Sequence, residues 1–155
     1  MNHSSKVGIV FGTTSGIITT LGLIVGLTAS DASRAIITSG VLVIAFADAF
    51  SDALGIHTSE ETEIKHTKKE IWASTFSTYF SKLLIALSFL IPVSFLSSNL
   101  ALIISIIWAI ILLTTLNYFI SPPEKRWQKI SEHLFISLVV IVTGFLIGQY
   151  IREIF

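Results

Sequence analysis

Long apolar runs separated by short charged stretches set the plan of this chain. Residues 7–28 carry no charged side chain. Residues 34–56 follow, with Asp48 and Asp52 inside them. Residues 71–96 are interrupted by Lys82 and Pro92, residues 100–120 are uninterrupted, and residues 130–151 have Glu132 and His133 at their entrance. A helix needs roughly 20 apolar residues to cross the hydrocarbon of a bilayer. The pattern therefore predicts an all-α integral membrane protein with five transmembrane helices. It predicts one domain over 1–155, termini on opposite sides, and a short charged segment at 57–70.

Composition supports this reading. Of the 155 residues 52% are hydrophobic and 13% charged, about half the charged share of a soluble domain. The lipid bilayer is the expected surroundings. The formal net charge of zero leaves no electrostatic footprint for nucleic acid. There is no cysteine, and Met1 is the only methionine, so disulfides, thiolate sites and thioether ligands drop out. No GxSxG, P-loop or dinucleotide fingerprint is present, and no enzyme is expected. The first apolar run continues as a full span, which argues against a cleavable signal peptide. Lys6, Lys65, Lys68, Lys69, Lys125, Arg126 and Lys129 fall on one side, against Arg34 and Arg152 on the other. By the positive-inside rule the N-terminus is cytoplasmic and the C-terminus lies opposite. Trp127, in the SPPEKRW connection, anchors the inner interface.

The first run reads VGIVFGTTSGIITTLGLIVGLT. Gly8, Gly12 and Gly16 recur every four residues, as do Gly22 and Gly26, and Gly144 and Gly148 form a similar pair in the fifth run. Small residues at this spacing let another helix backbone approach closely. Two readings stay open. In one this is a packing helix whose hydroxyls bond back to their own carbonyls. In the other Thr14, Ser15 and their neighbours line a polar path at a dimer axis.

Asp48 and Asp52 stand four apart, on one helix face and about 6 Å from each other. Ser51 and Gly55 share their stripe. Counting back from Ile56 puts Asp48 roughly 12 Å and Asp52 about 6 Å inside the span. A carboxylate at depth costs at least about 2.5–3.5 kcal/mol, so it needs water, a partner or a proton. Two adjacent carboxylates repel and favour sharing a proton or a cation. Oxygen-only chemistry suits Mn²⁺, Fe²⁺ or Mg²⁺ rather than Cu⁺. Lys82, at a similar depth in the third span, is the candidate partner of Asp48, as a structural ion pair or as a proton or charge-compensating group. Asp52 is either a second ligand or an interfacial acid reaching the headgroups. Pro92 should kink the third span. If the third helix extends down through the charged segment, Glu63, His66 and Glu70 fall on one face. With Glu60 they form a candidate cytoplasmic metal-loading site, against the alternative of a solvated charged helix. Glu132 and His133 read as an interfacial cap or a proton-handling pair.

The runs GIVFGTTSGIITTLGLIVGLTASDAS and ADAFSDALGIHTSEE resemble the first two spans of the vacuolar iron transporter (VIT-like) family. Gly16 with Gly26–Leu27, Ser51 with Leu54–Gly55, and Ser59–Glu60 keep that family's spacings. Ile91–Pro92 and the stretch from Thr143 to Gly148 are similar to two later motifs. The resemblance implies a homodimeric exporter of ferrous iron or manganese from the cytosol, driven by proton exchange. Its membrane would be the plasma membrane of a prokaryote, or a vacuolar-type membrane in a eukaryote. The departures are specific. The family's acidic position in the first span falls at Ser15, its second-span methionine falls at Asp52, and Asp48 occupies a glycine position. Only 57–70 remains of the cytoplasmic metal-binding module, so this is a diverged short member.

The expectation is then a divalent-metal transporter with Asp48, Asp52, Ser15, Thr14 and Ser51 as candidate metal ligands. Its partners would be a second copy and a divalent cation, Fe²⁺ or Mn²⁺, carried as cargo with no permanently bound cofactor. The competing reading is a non-transporting membrane subunit of the same fold, with Asp48–Lys82 as structural glue.

Overall fold

The computed structural model describes residues 3–63 and 65–155. Residues 1 and 2, at the start of the expected domain, and residue 64, in the charged segment, lie outside the described residues.

Five helical spans cross in alternating directions. The first is α1 (His3–Ala29). The second is α2 (Arg34–Val43), one π-helical turn (Ile44–Asp48) and α3 (Ala49–Thr62). The third is α4 (Lys68–Ser88) and α5 (Leu90–Phe95), the fourth is α6 (Ser98–Ile120), and the fifth is α7 (Arg126–Ile154) after a 3₁₀ turn at Pro123–Lys125. No strand occurs among the described residues. All five spans are long and apolar enough to cross a membrane. The helices outrun the apolar segments at most ends, because the flanking Ser, Glu, Lys and Arg residues satisfy a helix as well as the apolar ones do. The second span is the clearest case: it continues from Ile56 to Thr62.

α1 is the central helix, packed on α2, α4, α6 and α7. Its two glycine strips explain how. Gly8, Gly12 and Gly16 meet α4, where a Cβ on Gly12 would collide with the Ser81 hydroxyl and the Thr78 carbonyl. Gly22 and Gly26 meet α7 across Gly144 and Gly148. Both strips are consumed inside one chain. α1 thus packs against its own neighbours along both strips. Between the glycines, Ile17, Leu21, Ile24 and Val25 form the core with Ile37 and Val41 of α2 and Leu113 of α6.

Pro92 breaks the third span as expected. It has no N–H to offer the Ser88 carbonyl, so α4 stops there, and Phe89 tightens onto the Ala86 carbonyl at 3.1 Å. The break is packed: Phe89 is fully buried, and Trp108 of α6 donates to the Ser88 hydroxyl at 2.9 Å. At the end of the bundle away from the N-terminus, Asp31 adopts a left-handed φ of 57°, a conformation that aspartate tolerates better than most residues. From that turn its carboxylate accepts from Arg152 at 2.8 Å, tying the ends of α1 and α7 together.

Candidate functional site

Three elements converge on one point inside the bundle. On the second span the π-helical turn places an extra residue in the ladder, and the Ala49 N–H reaches back five residues to the Ile44 carbonyl. Such single turns recur at functional sites. Here the turn ends on Asp48 and leaves Phe46 and Ala47 facing outward. α3 then resumes regular geometry, so Asp52 lies one turn below Asp48 on the same face. On the opposite side the Gly16 backbone sits against Lys82, with a Cβ position only 3.2 Å from the Lys82 carbonyl. That approach carries Lys82 under Ser15. The glycine strip of α1 thus brings the site together.

Lys82 is 0% exposed, a state lysine reaches almost only when paired. Its Nζ lies 2.5 Å from Asp48 Oδ2 and 2.5 Å from Asp52 Oδ2. It also donates to Ser15 Oγ at 3.1 Å, and that hydroxyl donates onward to Asp52 Oδ2 at 2.6 Å. The side chain of Asp48 remains 37% exposed and that of Asp52 21%. Among the described residues no second cation pairs with either carboxylate. Two acids and one ammonium leave a formal charge of −1 in the middle of a span. One turn from Lys82 on α4, the Thr78 hydroxyl is buried and without a hydrogen-bond partner.

The expected residues divide clearly. Asp48, Asp52, Ser15 and Lys82 come together. Thr14 lies elsewhere, in a crevice with Val7, Phe11 and Ile120. Ser51 is exposed on α3. Asp52 does not reach for headgroups. It points inward to Lys82, and with the helix running on to Thr62 it stands about 15 Å from the helix end. Sequence reasoning paired Lys82 with Asp48 alone; the double bridge depends on the inward turn of Asp52.

The loading site is not formed as a continuous helical face. The helix ends at Thr62, and Glu63 adopts an extended conformation with φ −89° and ψ 106°. Glu70 is taken up by the start of α4, accepting from the Thr67 N–H at 2.9 Å and hydroxyl at 2.8 Å. Glu63 faces His66 at 3.3 Å. Glu60 is turned inward and accepts from Ser74 of α4 at 2.8 Å. No cluster of three or more acidic or histidine side chains suited to a metal ion occurs among the described residues. Glu132 accepts from Lys129 at 2.7 Å and Gln128 at 2.9 Å, and the His133 ring meets the Lys129 carbonyl at 2.8 Å. These are local contacts at the start of α7.

The stretch that builds most of this site has a known likeness. Residues 8–72 match the model of the VIT family. The matched stretch covers α1 from Gly8 onward, the π-helical turn, Asp48 and Asp52, and the foot of α4. It spans less than half of the chain and ends before Lys82. No curated protein and no solved structure matches. Likeness to the VIT family suggests membrane transport of a metal ion, which is a transporter's role rather than an enzyme's.

Proposed function

We propose that the protein exports or sequesters a divalent metal, ferrous iron or manganese, from the cytosol by proton antiport. The observation that carries this reading is the surplus carboxylate. A structural ion pair needs one acid for Lys82, yet two acids lie against it. An unmatched negative charge in a span is expensive and marks a functional site by default. Asp48 and Asp52 would be the principal ligands and Ser15 a hydroxyl ligand, with the likeness to the VIT family supporting the metal class. A divalent ion between the two carboxylates neutralises both. In antiport a proton would bind the same carboxylates from the far side once the metal has left, and would travel back to the cytosol in its place.

The exposure of Asp48 supports a homodimer. A carboxylate facing lipid at this depth costs about 2.5–3.5 kcal/mol, and a second copy set against the second span would cover it and enclose a wet path.

A second reading rests on the same contacts. Lys82 is held by three polar groups, as a purely structural pair in a non-transporting subunit would be. Proteoliposomes with a pH-sensitive dye inside separate the two. Transport predicts that Fe²⁺ or Mn²⁺ movement changes the internal pH, and that Asp48→Asn abolishes this in a folded protein. The structural reading predicts no coupled signal for any of Fe²⁺, Mn²⁺, Co²⁺ or Mg²⁺.

A further inference from the structure

We propose that the crevice between the start of α1 and the end of α6 is a binding site for an anionic phospholipid. It draws no residue from the charged cluster and none from the second or third span, so it stands apart from the transport site. The space measures about 500 Å³, inside the roughly 300–1,000 Å³ of small-molecule sites. Its walls are Val7, Val10 and Phe11 of α1 and Ile120 of α6, and Thr14 lies at its inner end. His3 and Lys6 stand at its mouth. From Lys6 to Thr14 the helix rises about 12 Å. One face of α1 thus passes from charged to apolar, as a lipid passes from headgroup to tail.

Charge names the occupant. Lys6 is exposed and has no acid partner among the described residues. Other cations at this end of the bundle are engaged: Lys129 pairs with Glu132, and the Arg126 guanidinium lies 4.0 Å over the Tyr118 ring. An unpaired ammonium above an apolar crevice complements a phosphate that carries an acyl tail. Basic pockets between membrane spans hold anionic headgroups in this way. A second copy fits less well. Two-fold contact sets the same patch against itself and would bring each Lys6 toward its counterpart, and like charges oppose that approach.

The purified full chain in detergent is titrated with dioleoyl phosphatidylglycerol or dioleoyl phosphatidylcholine, and binding is read as the rise in melting temperature. Wild type should prefer phosphatidylglycerol. Lys6→Gln should cut that preference about fivefold, because one basic residue near an anionic surface contributes about 1 kcal/mol. Lys69 is exposed at the same end of the bundle but outside the crevice, and Lys69→Gln should leave the preference unchanged. Val10→Trp fills the crevice without altering charge and should weaken binding of both lipids. Equal affinity of wild type for the two lipids overturns the proposal. So do equal losses from Lys6→Gln and Lys69→Gln, which mean attraction to the charged end as a whole. Unchanged phosphatidylglycerol binding by a folded Val10→Trp protein overturns it too, since the headgroup would then be held without its tail. The chain has no cysteine, so Phe11→Cys supplies a single thiol. Oxidative cross-linking of two copies through that thiol would place a second copy in the crevice and likewise overturn the proposal.

Discussion

Lys82 holds three polar groups together, and removing it should cost far more stability than neutralising one of its acids. Lys82→Met leaves two facing carboxylates without their cation. Losing the partner of a buried charge costs about 3–5 kcal/mol, and chemical unfolding in detergent should show a loss of this size. Asp48→Asn leaves a neutral Lys82–Asp52 pair and should cost less than about 1 kcal/mol, because the repulsion between the acids goes with it. A loss from Asp48→Asn as large as that from Lys82→Met would mean that both acids are structural. Part of this was legible in advance. Helical rise alone set Asp48 and Lys82 at a similar depth. The inward turn of Asp52 was hidden, because its distance to the membrane edge was counted from Ile56, where the apolar run ends and the helix does not.

Among the helices, the glycine strips of α1 decide how closely α4 and α7 approach. Gly12→Ala would drive a methyl into the Thr78 carbonyl and Ser81 hydroxyl, and overpacking of this kind costs about 1–3 kcal/mol. Gly55 has nothing within 4 Å of its Cβ position, so Gly55→Ala should be neutral or gain up to about 1 kcal/mol of helix propensity. Equal effects of the two substitutions on unfolding would contradict the packing described for α1. The four-residue spacing announced close packing, but a spacing does not say which neighbour it faces, and the strips face the same chain. The break after Thr62 had a visible sign in Thr67-Lys-Lys-Glu70, which forms a capping box. Such a box marks a helix start and so excludes a helix running through the charged segment. Thr67→Ala should cost about 1 kcal/mol and loosen the foot of α4, readable as faster amide exchange there. The π-helical turn left no sign in the residue pattern, because Ile44–Asp48 carries neither glycine nor proline.

Taken as a molecule, the protein packs α1 against the four other spans and sets its charged cluster against the second. The five crossings were readable because an apolar run near 20 residues has few other uses. The site was readable only in part: charge and depth nominate residues, while side-chain direction depends on how the helices pack. The charge left over at Asp48, Asp52 and Lys82 is the central point of this account. The most direct test is Mn²⁺ uptake into proteoliposomes by wild type and by Asp48→Asn/Asp52→Asn, with helical content checked in both. Saturable uptake by wild type that is lost in a folded double variant is the predicted result. Equal uptake by the two proteins, or none by a folded wild type, would contradict it.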